Sequence, residues 1–255
     1  MLNWNQVQAF ERDGFVTVPS VFSRAEVDVL LEGVELSLAA TRKVGDMPDA
    51  AGRSSKISLW MDTRDDVFGL VTRHPRLLNG VRELLREDVY HWHSKVMLKE
   101  PRVGGAWEWH QDYGYWYNDH CLFPRMISCM VALDPATQAN GCLQVIPGSH
   151  LLGRINHGRV GNQAGADPER IAAILERMPP QYAEMTPGSV LFFHCNTLHA
   201  SGPNTSEIPR RAYICCYNAF SNVPYGQKGH GKPESVVPVA DDAILSFARQ
   251  AKAAV

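Results

Sequence analysis

A chain of 255 residues has the size of one large domain with room for a substantial core, and its 45% hydrophobic and 20% charged content exclude a disordered tail or a coiled coil. Lys and Arg number 25 against 27 Asp and Glu, a net charge of −2, so no basic field gathers nucleic acid or anionic membrane and small molecules are the expected partners. The opening MLNWNQVQAFERDGF lacks the basic-then-apolar order of a signal peptide, and no apolar run reaches the roughly 18 residues of a spanning helix, which together predict a cytoplasmic chain.

The first expected element is a helix over about residues 4–12, followed by a short apolar run, Phe15–Pro19. Ser23-Arg24-Ala25-Glu26 is a capping box, and Val27, Leu30, Leu31, Val34 and Leu38 recur at helical spacing behind it. Residues 44–55 carry Gly, Pro and Ser and read as a loop; a strand near Ile57–Trp60 and a helix from Pro75 to Arg86 follow. From residue 89 the period becomes two. VYHWHSKVMLK alternates Tyr90, Trp92, Ser94, Val96 and Leu98 with His91, His93, Lys95, Met97 and Lys99, and a face with two His and two Lys is no ordinary core.

Strand-like runs follow at Met126–Leu133, Cys142–Ile146, Ser189–His194 and Arg211–Tyr217, broken by turns such as DPATQANG. Residues 153–181 read as an inserted loop with one helix, capped by Asp167 with Pro168 in its first turn, and placed to cover a site. The pattern predicts an α+β, mainly β fold: a jelly roll with helices packed outside. It is a single domain, with residues 1–88 mainly helical, 89–220 the jelly-roll core and 221–255 a C-terminal extension. Nothing in the sequence fixes an oligomeric state. The six cysteines form no C-x-x-C pair and lie largely in apolar runs, as buried free thiols would.

The strongest chemical signal is WEWHQDYGYWYND, in which His110 and Asp112 stand two apart, a spacing that puts both on one side of a strand or its end. A third ligand is offered by His199 in FFHCNTLHASGPN. Two His and one carboxylate leave open positions on a metal, the arrangement of non-haem Fe(II) oxygenases that bind a bidentate cosubstrate and O₂. Arg210, at the start of an apolar strand after His199, is a natural fork for the distal carboxylate of 2-oxoglutarate. Strand alternation sends Arg211 the other way. His91 and His93 form an H-x-H without the nearby Glu of a cupin metal site, so His93, with Lys95, is expected to line the pocket and touch substrate. His150 is read as fixing a turn and His194 as a satisfied core histidine. Some rings of the cluster Trp107, Trp109, Tyr113, Tyr115, Trp116 and Tyr117 are placed to cage an ammonium group, Tyr113 and Trp116 foremost.

These motifs together resemble the phytanoyl-CoA dioxygenase family of Fe(II)/2-oxoglutarate-dependent oxygenases, which includes ectoine hydroxylase. The resemblance runs through DGFVTVPSVFS, HQD, NGCLQVIPGSH and HASGPNTSEIPRR, over most of residues 5–220. It implies a double-stranded β-helix (jelly roll, cupin-like), iron on His110, Asp112 and His199, and the distal carboxylate of 2-oxoglutarate on Arg210 and the Ser201 hydroxyl. It also matches a cosubstrate lysine to Lys56 and a pocket aromatic to Trp116. The expected activity is hydroxylation of a C–H bond in a small polar substrate such as an amino acid, betaine or aminophosphonate, giving succinate and CO₂. The readings left beside it are an acyl-CoA or secondary-metabolite hydroxylase of the same family, a cupin-like isomerase or zinc hydrolase without 2-oxoglutarate, and a binding module that lost turnover. A halogenase would lack the Asp112 carboxylate.

Overall fold

The structure is a computed structural model and describes residues 2–39, 45–226 and 233–253. In chain order the elements are α1 (Trp4–Asp13), β1 (Phe15–Val18), α2 (Arg24–Ala39), β2 (Gly45–Pro48), β3 (Ser54–Trp60), α3 (Val67–Thr72), α4 (Pro75–Leu85), β4 (Val89–Lys99), β5 (Trp107–His110) and α5 (Asp112–Trp116). There follow β6 (Met126–Ala132), β7 (Leu143–Val145), β8 (His157–Val160), β9 (Gln163–Ala166), α6 (Pro168–Leu175), β10 (Gln181–Ala183), β11 (Val190–His194), β12 (His199–Ser201), β13 (Arg210–Ala219) and α7 (Ala243–Ala253). Among the described residues no helix is long and apolar enough to cross a membrane.

Local chemistry sets the helix starts. Asn3 and Gln6 cap α1 reciprocally, and the Ser23–Glu26 box forms, with Ser23 N donating to Glu26 Oε2 at 2.7 Å. Asp167 accepts from Arg170 N at the start of α6. On α2, Val27, Leu30 and Val34 are fully buried and Leu31 packs against them, each buried side chain contributing about 1.5–3 kcal/mol. The side chain of Leu38 lies outside the described residues.

A seven-stranded sheet in the order β1-β11-β6-β13-β4-β3-β2 faces a four-stranded sheet in the order β10-β7-β12-β5, as in a double-stranded β-helix. One core fills the space between the large sheet and the helices, through Phe22, Leu77, Phe192 and Ile244 of α7 among others; a second lies between the two sheets. The chain thus leaves the inner faces of β4, β13 and β12 looking into one interior, where the site is built.

Three expectations need correction. The strict alternation of β4 fails at Trp92, because the pairing of β13 with β4 slips there: Cys216 faces His93 and Tyr217 faces His91. The bulge sends His93, Lys95 and Met97 inward but also keeps Tyr90 and Trp92 in the inter-sheet core, while His91 hydrogen-bonds Ser94 Oγ at 2.8 Å. Much of the 44–55 loop is the β2–β3 hairpin, residue 44 lying outside the described residues. The 153–181 insertion holds a hairpin, β8–β9, as well as the expected helix.

Candidate active site

β5 ends at His110, and the chain turns at once into α5, whose first residue is Asp112. The H-x-D pair therefore straddles a strand end and a helix start rather than one strand face. β12 lies beside β5 with His199 opposite His110, which closes the set. One donor atom from each of His110, Asp112 and His199 lies within 4.8 Å of the others, all three residues buried.

The remaining atoms of these side chains are occupied in a way that aims the donors. His110 Nδ1 sits 2.7 Å from Glu108 O, and His199 Nδ1 sits 2.9 Å from Thr197 O. A carbonyl only accepts, so both Nδ1 atoms carry hydrogen and both Nε2 atoms present lone pairs. Ser128 Oγ donates to Asp112 Oδ2 at 2.6 Å and leaves Oδ1 free. Burial first lowers the affinity of both imidazoles for a proton, helped by His199 at His110 and by Lys95 at His199. For Asp112 burial works the other way, but Lys95, His199, His110 and Ser128 together hold the carboxyl well below its ordinary range. Neutral imidazoles and an anionic carboxylate are what a divalent metal requires, so these residues fit iron.

Gln111, between the two ligands, is wholly buried. Its Nε2 donates to Gly153 O (2.7 Å) and Asn196 O (2.9 Å), and its Oε1 accepts from Ile155 N (2.7 Å). Its backbone N donates to His157 Nε2 at 2.9 Å. One amide thus ties the β5 end to the insertion and to the turn before β12. The insertion also walls the site directly: Gln163 and Ala164 line the cavity, and Tyr115 Oη donates to Ala164 O.

The cavity of about 350 Å³ is lined by His110, Asp112, His199, Ser201 and Arg210, by His93, Lys95, Trp107, Tyr115, Trp116 and Asp119, and by Met and Leu side chains. Arg210 and Arg211 part as expected: Arg211 is held by Asp134 through Nε (2.8 Å) and Nη2 (2.8 Å) and by Glu35, while Arg210 turns inward. Arg210 is 2% exposed, its Nε has no hydrogen-bond partner among the described residues, and burial pushes its guanidinium down to about 10. A buried cation left in this state is strongly disfavoured without an anion, so the cradle fits the carboxylate of 2-oxoglutarate.

Two assigned residues do not reach the site. Lys56 shares β3 with Ile57 and Leu59, which line the cavity, and alternation turns it outward to lie 3.7 Å from Glu100. Tyr113 is also turned away, its hydroxyl donating to Cys121 O. The reason is that residues 112–116 are helical: Asp112, Tyr115, Trp116 and Asp119 follow one another at helical spacing along the cavity, and Tyr113 falls on the far side. The same periodicity would have found Asp119, which sequence reasoning missed.

Lys99 was missed as well. It is 1% exposed, and its Nζ donates to Ser201 Oγ at 2.8 Å and to Gly202 O. The only signal was its place on the inward register of β4. Of the other rings, Trp107 joins the cavity, Trp109 packs against the insertion core and Tyr117 lies under Arg154. His194 Nδ1 accepts from Asn196 N, and burial lowers its imidazole to about 4, as a satisfied core histidine requires. His150 reaches back to Glu11 O, and all six cysteines are buried free thiols.

Comparison with known proteins agrees with this geometry. The family described as Phytanoyl-CoA dioxygenase (PhyH) matches residues 10–212. Ectoine dioxygenase of Bordetella parapertussis is 31% identical over 236 residues, 87% of this chain and 77% of that one. L-proline trans-4-hydroxylase of Streptomyces griseoviridis is 27% identical, over 84% of this chain and 86% of its own. The crystal structure of EctD from S. alaskensis with 2-oxoglutarate and 5-hydroxyectoine aligns at a TM-score of 0.77 and 27% identity, covering 93% of this chain and 87% of that one. The epimerase SnoN, in complex with Fe³⁺, α-ketoglutarate and nogalamycin RO, shares the fold at 21% identity and a TM-score of 0.72.

Proposed function

The chain belongs to the phytanoyl-CoA dioxygenase family of Fe(II)- and 2-oxoglutarate-dependent oxygenases, and we propose that it hydroxylates a C–H bond of a small polar substrate bearing an anionic group. Amino acids, betaines and aminophosphonates are the classes meant, and the ectoine dioxygenases and the proline hydroxylase among its relatives support the choice. The overall reaction consumes substrate, 2-oxoglutarate and O₂ and yields hydroxylated substrate, succinate and CO₂. The observation that carries the reading is the His110, Asp112 and His199 donor set with the buried Arg210, whose Nε has no partner among the described residues, on the wall of the same cavity.

Iron with 2-oxoglutarate and O₂ supplies the oxidising power when bound. The protein's residues hold and orient. His110 Nε2, Asp112 Oδ1 and His199 Nε2 serve as the iron ligands, and the Arg210 fork and Ser201 hydroxyl take the distal carboxylate of 2-oxoglutarate. Lys95 lines the cavity near enough to Asp112 to stabilise its charge, and no ion pair to it is found among the described residues. It is the group for a substrate anion, with His93 beside it. Trp107, Tyr115 and Trp116 exclude water and offer ring faces to an ammonium, which Asp119 would also attract. Acyl-CoA is disfavoured because a CoA ester needs several cations for its phosphates, and among the described residues the Lys and Arg side chains on the cavity wall are Lys95 and Arg210. Six buried thiols with no disulfide are in keeping with a cytoplasmic enzyme.

The test is succinate formation by the iron-loaded enzyme across a panel of amino acids, betaines and aminophosphonates beside acyl-CoA esters, with a gain of one oxygen in the product mass. Coupled turnover on a member of the first three classes is expected. Coupling to an acyl-CoA and to no small anion would overturn the substrate reading.

A further inference from the structure

β4 and β13 set two cations directly opposite each other, Lys99 and Arg210, and both are buried. Like charges in register across an antiparallel pair destabilise it, and burial makes this worse. No carboxylate forms an ion pair with either among the described residues. Lys99 is not part of the cavity wall, but its Nζ donates to Ser201 Oγ, and Ser201 is. A hydroxyl has one hydrogen. An ammonium has no lone pair, so while Lys99 is charged Ser201 must accept from it and its hydrogen is free to point into the cavity. A neutral Lys99 offers a lone pair, and the serine's hydrogen can turn back to it.

We propose that Lys99 is a positioning residue for the cosubstrate, one that takes up a proton when the distal carboxylate of 2-oxoglutarate binds and thereby fixes Ser201 as a donor to it. The inference rests on the reading of the site as a 2-oxoglutarate cradle. Burial first, and Arg210 next, push the free Lys99 ammonium down to about 6. The other groups facing it are Asp49 and Cys142, which act in the opposite sense. Asp49 is already engaged by Ala51 N, Arg53 N and Ala106 N, and burial raises the Cys142 thiol to about 11, which keeps it neutral. The hydrogen bonds of Lys99 Nζ go to Ser201 Oγ and Gly202 O and to neither of these groups.

The sign follows from linkage. A carboxylate arriving near Lys99 raises its proton affinity, by about one to two pH units for a close opposite charge. Protein that is largely neutral at Lys99 at pH 7 then gains between about 0.4 and 0.8 proton on binding. Affinity for 2-oxoglutarate weakens as pH rises, by about five- to twenty-five-fold between pH 6 and pH 8, and levels off below pH 6.

The experiment uses full-length protein loaded with Co(II) in place of iron and titrated calorimetrically with 2-oxoglutarate, in two buffers of different ionisation heat at pH 6, 7 and 8. Wild type is expected to take up the proton and to show the affinity slope. Lys99→Met should bind more weakly at pH 6 with no uptake and no slope. Lys99→Arg, whose charge does not titrate, should bind without uptake or slope and more tightly than Lys99→Met. A residue that only supports the fold would lower affinity alike at every pH and leave wild type without a slope. Binding by wild type with no proton uptake overturns the proposal, as does uptake that persists in Lys99→Met. Should neither Lys99 variant fold, Ser201→Ala decides between them: weaker binding with the uptake retained supports the proposal, and unchanged affinity overturns it. Failure of wild type to bind 2-oxoglutarate at any pH would instead sink the reading of the site.

Discussion

Gln111→Met tests whether one buried amide holds the metal loops together. Methionine matches the length and volume of glutamine, so the change removes hydrogen bonds without opening a large cavity. It deprives Gly153 O, Asn196 O and Ile155 N of their partner in a place with no solvent exposure. A buried group left unsatisfied costs about 1–3 kcal/mol, and with some relaxation the three together should cost about 3–5 kcal/mol. Against a typical total of about 5–15 kcal/mol this is a large fraction, and at roughly 2–4 °C per kcal/mol it lowers Tm by about 6–20 °C. The assay is urea unfolding of the metal-free protein, followed by tryptophan fluorescence and circular dichroism, so that loss of metal does not enter the difference. Gln111→Ala leaves room for water to rejoin some of these groups and should cost no more than Gln111→Met despite the larger truncation. A Gln111→Met protein within about 1 kcal/mol of wild type would refute the reasoning.

Three further outcomes follow from the site. Ser128→Ala strips Asp112 Oδ2 of its donor and should weaken Fe(II) binding by about 10–100-fold in a competitive chelator titration; unchanged affinity would contradict the orienting role. Arg210→Ala should raise the KM for 2-oxoglutarate by about 10–150-fold, the equivalent of a charge-assisted contact of about 1.5–3 kcal/mol, whereas Arg211→Ala should lower stability through Asp134 and leave that KM nearly unchanged. Steady-state kinetics beside thermal unfolding distinguish the two, and the reverse ranking would break the register. Lys95→Met should raise the substrate KM at least tenfold while 2-oxoglutarate affinity holds within about threefold, in keeping with a lost charge-assisted contact of about 1.5–3 kcal/mol; equal losses for both ligands would remove Lys95 from the substrate side.

The metal ligands and Arg210 were legible in the sequence because each is tied to a short rule. H-x-D joins two ligands through neighbouring backbone, and alternation separates Arg210 from Arg211 whatever the rest of the fold does. What escaped depended on local departures from period. The slip at Trp92 is set by pairing with β13 and leaves no mark in VYHWHSKVMLK itself. DYGYW reads as aromatic and β-prone, yet it forms a helical turn, which exchanged Tyr113 for Tyr115 and Asp119 on the cavity wall. The β8–β9 hairpin is built from HGRVGNQAGA, too rich in Gly and too poor in branched apolar residues to announce strands. Lys56 and Lys99 differ by what tertiary structure puts in front of them: Lys56 meets solvent and Glu100, Lys99 meets Ser201 and Arg210.

The most direct test of the iron and 2-oxoglutarate site is anaerobic addition of Fe(II) and then 2-oxoglutarate to the purified protein, watched in visible absorption for the charge-transfer band of cosubstrate chelated to iron. The band should develop in wild type and in Lys95→Met, fail in His110→Ala, Asp112→Ala and His199→Ala, and require far more 2-oxoglutarate in Arg210→Ala. Wild-type protein that binds both without a band, or an undiminished band in Asp112→Ala, would contradict the assignment.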